Sequence, residues 1–423
     1  MVNGKIEIAI NKMQQISPTM PIDTRLRRFV NILVFSKTIP ILLYILYPGI
    51  VGVGAFVDTI LTLYAFVGLK RNHRTKSNCP FSIRLWLFAI ALGFFQSLFT
   101  SNVESDFATF VLSLLSLLSI FFIFIVYDLK LISFFMKAFL RYFIPLGLFS
   151  SFFWDNFLIY DTPHIMSHLA LFAIVLFFFP RKYQFYIAGA LVYALIIDSS
   201  VRACLLTTLV VMSFAICYKI FTNHIFSKIV KLAHLSFYIL PLLFIFLGFS
   251  GIVNVFEAME NSNTEVSLGG KKGGAGRSSN VDSRTAIYTD VAMNIDNLKT
   301  LVIGNGPTYK IKVFTTFGMG SDQYNEGRGS VEVGILNILM FYGMFGCLAF
   351  FFLCFYASSN SMKSNNSFIK LIGVFVAYKF MFSFIEDPAI NVTTYLAIGI
   401  CLNGEIRRMS DKDIKKRFLA VLA

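Results

Sequence analysis

The chain has 423 residues, of which 56% are hydrophobic and only 14% charged, with 49 Phe and a formal net charge of +14. Soluble domains carry about 25% charged residues, so this composition excludes an ordinary soluble protein and indicates a polytopic membrane protein. The positive charge does not indicate nucleic acid, because the bases are not clustered with exposed aromatics on a soluble face and membrane topology accounts for them better.

The first apolar run begins at Phe29, behind a polar segment with Arg25, Arg27 and Arg28. That is not a short charged n-region ahead of a cleavable apolar stretch, so the N-terminus is expected to be retained. A bilayer core of about 30 Å needs around 20 apolar residues per helix, and about twelve runs qualify. They fall near 29–47, 50–69, 85–101, 107–127, 132–153, 163–180, 184–197, 203–220, 232–250, 333–356, 368–385 and 389–403. The 184–197 run is short, and the 132–153 run carries Lys137 and Arg141 near its start, where snorkelling accommodates them.

The predicted fold class is therefore an all-α polytopic membrane protein. Residues 1–250 hold nine transmembrane helices with a cytoplasmic N-terminus, 251–332 form one large periplasmic loop, 333–403 hold the last three helices, and 404–423 form a cytoplasmic basic tail. With the N-terminus inside, the cytoplasmic segments collect about 26 of the 37 Lys and Arg, while about 16 of the 23 Asp and Glu fall outside. Both termini are then cytoplasmic. The six Cys lie mostly inside apolar runs without paired spacing, which favours small packing residues over zinc ligands or a disulfide framework. No fixed-period repeat appears, which weakens a transporter reading.

Within the loop, Ser267 to Asn280 is rich in Gly, Lys and Ser and is expected to be mobile. After Asp282, Ala286, Ile287, Val291, Met293 and Ile295 recur at near-helical spacing, with Asp282 or Ser283 as N-cap. Asn305-Gly-Pro307 reads as a turn.

Several charged residues stand beside the outer membrane face. Asp198-Ser-Ser-Val-Arg202 joins two apolar helices, so Arg202 either grips a phosphate with its planar fork or pairs with Asp198. Arg284 lies in the first turn of the predicted loop helix. Arg328 and Glu332, four residues apart at the start of a span, could pair, or the carboxylate could take a proton from a sugar hydroxyl. Lys37 and Asp58 flank the Pro48-Gly49 hairpin at roughly 16 and 14 Å below it, at about 1.5 Å per residue, and are expected to neutralise each other.

Lys379, Ser383 and Glu386 share one face of the eleventh span, where Lys379 either serves a substrate cavity or answers Glu386. His164 and His168 share a helix face without a third ligand, so no metal site is expected; they either line a sugar pocket or pack between helices. No P-loop, Rossmann fingerprint, nucleophile elbow or paired Asp motif of a nucleotide-sugar enzyme is present.

Three pieces together resemble the bacterial O-antigen polymerase (Wzy) family, related to the O-antigen ligases. They are Ser199-Ser-Val-Arg202-Ala opening a span, Ser283-Arg284 followed by Gly304-Asn-Gly306 in the loop, and Gly343-Met-Phe-Gly346 in the span that closes it. Where the ligases place a His-Asn pair, this chain has Glu332-Val333, which favours the polymerase branch.

The resemblance implies a GT-C-like glycosyltransferase at the periplasmic face of the inner membrane, needing neither cofactor nor metal. Its donor and acceptor would both be undecaprenyl-diphosphate-linked oligosaccharides, with a chain-length regulator and a flippase as possible partners and no nucleic acid. Arg202 and Arg284 would hold the diphosphate, Glu332 and Arg328 would act on the acceptor, and Lys379, His164 and His168 would line the cavity. The competing readings are a ligase that delivers glycan to lipid A core, a lipid-linked oligosaccharide flippase, and a non-catalytic membrane scaffold.

Overall fold

The computed structural model describes residues 24–46, 51–72, 80–100, 119–125, 129–150, 162–197, 202–249, 283–312, 329, 331, 333–385 and 391–422. Among these residues the protein is all-helical, with no strand. Its helices are α1 (Thr24–Leu46), α2 (Val51–Asn72), α3 (Phe81–Thr100), α4 (Phe122–Ile125), α5 (Leu129–Ala138), α6 (Ile144–Ser150), α7 (Thr162–Ile174), α8 (Arg181–Ile197), α9 (Arg202–Ile220) and α10 (Asn223–Phe249). Then come α11 (Ser283–Asn294), α12 (Leu298–Ile303), α13 (Gly334–Met362), α14 (Ser367–Phe382), α15 (Val392–Leu402), α16 (Gly404–Arg408) and α17 (Asp411–Leu422).

Each apolar run of the sequence is mostly helical where it is described. Among the described residues, four stretches are long and apolar enough to cross a membrane: Phe81–Leu98, Leu131–Phe149, Asn223–Leu243 and Gly334–Met362. The second of these is the run that carries Lys137 and Arg141. There α5 passes through one π-helical turn, Phe139–Phe143, and continues as α6.

The core is built around α14 and α15. Every residue of α15 from Val392 to Cys401 is buried, and α14 is buried on nearly all sides, as expected for helices that are apolar all round. Around them pack α13, α10, α9, α7 and α4, with α3 against α13 and α1 against α2 and α5. Most of the polar groups that enter this core find partners, the hydroxyls of Ser82 and Thr308 being exceptions. Trp86 Nε1 donates to the Tyr395 hydroxyl at 2.9 Å, and the hydroxyls of Thr207 and Tyr378 share a hydrogen bond at 2.8 Å. Ser358 Oγ meets both His234 Nε2 (3.0 Å) and the Tyr238 hydroxyl (2.9 Å). The five described cysteines, Cys204, Cys217, Cys347, Cys354 and Cys401, are free thiols packed in or beside this core.

The outer faces are apolar as well. On α10, Leu232, Leu235, Ile239 and Leu242 form one exposed stripe, and α2 presents Ile60, Leu63, Tyr64 and Val67 in the same way. A stripe of this kind would aggregate in water and marks a surface meant for another apolar phase.

The 404–423 segment is more than a charged tail. Ile414, Phe418 and Leu422, spaced one turn apart, bury one face of α17, which packs against α5 and α14. Asn366 donates its amide to the carbonyls of Ile406 (2.9 Å) and Met409 (3.1 Å). Asp411 accepts the backbone N–H of Ser367 at 2.7 Å, so a carboxylate from α17 satisfies an open donor at the start of α14.

Candidate functional site

The region built around the loop begins with a break in α13. Gly343 has φ +67° and ψ −172° in the middle of that helix, a conformation open to glycine and strained for other residues. The break frees carbonyls that a regular helix would use internally. Two of them are taken by the loop: Asn305 N–H donates to Met340 O at 2.8 Å and Gly306 N–H to Phe341 O at 3.0 Å. The loop can come this close because Gly304 (φ +77°) and Gly306 (φ +86°) also adopt left-handed backbone. A Cβ on Gly304 would stand 2.5 Å from the Phe341 carbonyl carbon, and one on Gly306 2.6 Å from Ser97 Oγ of α3. The expected turn at Asn305-Gly-Pro307 is thus present, wedged between α3 and the break in α13.

From this joint the loop folds back as a compact lobe. Asn297 caps α12 through Thr300 N–H at 2.8 Å. Asn294 donates to the carbonyls of Asp290 (2.7 Å) and Lys312 (2.8 Å) and accepts from Lys312 N–H (2.9 Å) and the Tyr309 hydroxyl (3.1 Å). Burial and the nearby Asp296 carboxylate push the Tyr309 phenol above its ordinary value, which keeps it a donor. The predicted helix after Asp282 is α11, with Ile287 and Val291 buried as its spacing required; Met293 faces outward, 56% exposed. The Tyr288 hydroxyl donates to Phe384 O at 3.1 Å, which seats α11 over the end of α14.

That end of α14, at Ser383, is where the other candidate elements arrive. Ile335 N–H at the start of α13 donates to Ser383 O at 2.8 Å. The Asn337 amide bridges both backbone groups of Val331, accepting at 2.8 Å and donating at 2.7 Å, which closes the chain ahead of α13. Helix α9 runs antiparallel to α14: Tyr218 stacks on Phe178, which also meets Phe368 near the start of α14, whereas Thr207 bonds Tyr378 near its end. Arg202, the first residue of α9, therefore stands about 7 Å above Thr207, level with Ser383. Arg284 occupies α11 one turn before Tyr288.

The backbones of Arg202, Arg284 and Lys379 and the residues flanking Glu332 thus meet at one end of the bundle. The side chains of Arg202, Arg284 and His164, and all of Arg328, Glu332 and Glu386, lie outside the described residues. Lys379 is 1% exposed, with its ammonium 5.7 Å from the ring centroids of both Phe375 and Phe382, a cation held between aromatic faces. His168 is buried between helices. Its ring stands edge-on to Phe139 and Phe143, and its Nδ1 meets Thr393 Oγ1 at 3.1 Å. Because that hydroxyl donates to Asn391 Oδ1 at 2.9 Å, Nδ1 carries the proton.

Reasoning from the sequence missed the joint of Gly304 and Gly306 with Gly343. Its signal was present as glycines in a turn and in mid-span, but nothing in their spacing said that they touch. The chain matches no protein-family model, no curated protein and no solved structure.

Proposed function

We propose that the protein is a metal-independent membrane glycosyltransferase that polymerises undecaprenyl-diphosphate-linked repeat units at the periplasmic face of the bacterial inner membrane. In this reading twelve helices span the bilayer, both termini are cytoplasmic, and residues 251–332 form the periplasmic loop. The observation that carries it is the meeting of α9, α11, α13 and α14 near Ser383, two of which, α9 and α11, carry Arg202 and Arg284 in their first turns. Apolar outer faces and helix along each described apolar run support the membrane placement.

In the reaction, the hydroxyl at the non-reducing end of the acceptor attacks the anomeric carbon of the donor. A C–O bond forms as the bond to the diphosphate oxygen breaks. Undecaprenyl diphosphate leaves with the electron pair, and the hydroxyl proton passes to Glu332. Arg202 and Arg284 stabilise the charge that gathers on the diphosphate, where a low dielectric strengthens each contact. Arg328 tunes Glu332 or touches phosphate. A fixed lobe joined to a broken helix suits a site that holds two bulky glycans in register.

Purified protein given the lipid-linked repeat unit alone should yield a ladder of polymer and free undecaprenyl diphosphate. Transfer only when lipid A core is added would make it a ligase. Movement of the unit across a vesicle membrane without bond formation would make it a flippase.

A further inference from the structure

Four cations from three segments converge at the other end of the bundle, away from Ser383. Arg27, in the first turn of α1, lays its guanidinium over the Phe134 ring of α5 at 5.0 Å. Lys137, one turn further along α5, donates to Val421 O in the last turn of α17 at 2.9 Å. Arg141 follows four residues later in the π turn, beside Tyr142. Lys182 lies in the first turn of α8, over Tyr183, and the Tyr186 hydroxyl one turn on donates to Leu140 O at 2.9 Å, fixing α8 against that π turn. Lys137 is within electrostatic reach of Lys182, Arg27 and Arg141 at once.

No Asp or Glu occurs on the described residues of α1, α5, α6 or α8. On α17 the acids Asp411 and Asp413 stand at the far end, about 12–15 Å along the helix from Val421, bonded to Ser367 N–H and to Ser410. Like charges gathered in this way repel, and a bound anion relieves that repulsion. The surface beside them is apolar: Phe185, three residues after Lys182, is 78% exposed, and Tyr142 is 48% exposed. A soluble anion has no use for such a surface, whereas a molecule with a charged head and hydrocarbon tails fits both parts.

We propose that Arg27, Lys137, Arg141 and Lys182 bind the phosphate headgroup of an anionic phospholipid, whose acyl chains lie along the adjoining exposed apolar face. The site rests on the membrane placement proposed above and not on the glycosyl transfer. Its lipid would brace α1, α5, α8 and α17 together, none of which carries the candidate catalytic residues.

The test is native mass spectrometry of the full chain in detergent, titrated with phosphatidylglycerol and with phosphatidylcholine. Wild type should retain phosphatidylglycerol preferentially, and Arg27→Gln/Arg141→Gln/Lys182→Gln should lose that preference, each removed charge weakening retention by roughly fivefold. Arg408→Gln/Lys412→Gln/Lys416→Gln, which removes three cations outside the cluster, should keep it. Because Arg27 also packs on Phe134, the exposed single variant Lys182→Gln provides the same comparison with little effect on folding. Equal retention of the two lipids, or equal loss in both triple variants, overturns the site. Displacement of the lipid by millimolar inorganic phosphate overturns the lipid assignment. Recovery of the protein in the soluble fraction would instead defeat the membrane placement itself.

Discussion

The ammonium of Lys37 lies 2.9 Å from Asp58 Oδ2, joining α1 to α2. Both side chains are nearly buried, and Thr62 Oγ1 donates to the second carboxylate oxygen at 3.0 Å. Removing one partner leaves a buried charge unanswered, so Lys37→Met or Asp58→Leu should each destabilise by about 3–5 kcal/mol. The exchange Lys37→Asp with Asp58→Lys should recover much of that loss. Thermal unfolding in detergent reads the difference; an exchange no better than the single variants would show that the pair is not the source of stability.

The joint at Gly343 should be as intolerant as its geometry suggests. A Cβ there would collide with the Val302 carbonyl, and φ +67° adds about 1–2 kcal/mol of backbone strain. Gly343→Ala and Gly304→Ala should therefore release the 283–312 lobe to limited proteolysis while the bundle stays intact. Gly189→Ala is the contrast: nothing lies within 4 Å of the new methyl, and the helix should gain up to about 1 kcal/mol. Equal protease resistance in all three would sink the argument.

Arg202→Ala and Arg284→Ala should insert normally yet lose polymer synthesis by about 10²–10³-fold, the scale of a missing donor to a developing anion. Lysine at either position should restore only part, because it lacks the planar fork. Full-length polymer from both alanine variants would refute the role given to these residues.

The start of α17 should respond to acid. Ser410 Oγ donates to Asp413 Oδ2 at 2.6 Å, and Asp413 N–H returns a bond to Ser410 Oγ at 3.2 Å. The Ser410 hydrogen bond holds the Asp413 carboxyl below its ordinary value of 3.8. A depressed carboxylate contributes stability that is complete above the unfolded value and fades as pH falls through the folded one. Amide exchange in the first turn of α17 should accelerate below about pH 4 in wild type. In Asp413→Asn it should show no such inflection.

Much of this architecture can be read from residue pattern alone. The apolar runs locate the helices, since nothing else in the chain can bury them. Lys37 and Asp58 could be paired across a hairpin because equal distances from Pro48-Gly49 put them at equal depth. The helix after Asp282 follows from the spacing of Ile287 and Val291. Other features depend on partners remote in sequence. A glycine at 343 in an apolar run looks like helix packing until the loop that fills the break is known. Ile414, Phe418 and Leu422 carried a readable one-turn spacing, but the surrounding charge disguised it as a tail. The neighbours of His168, which are Phe139, Phe143 and Thr393, come from distant segments and cannot be read from its own helix.

The break at Gly343 also constrains how such a chain can diverge. Because Asn305 and Gly306 supply donors to Met340 and Phe341, the loop segment and the helix it rests on share a single hydrogen-bonding inventory. A recombinant that imports the segment must import that helix glycine too, or the N–H groups of Asn305 and Gly306 lose their acceptors. The rest of the lobe can vary, while residues 304–306 and 343 descend as one heritable unit.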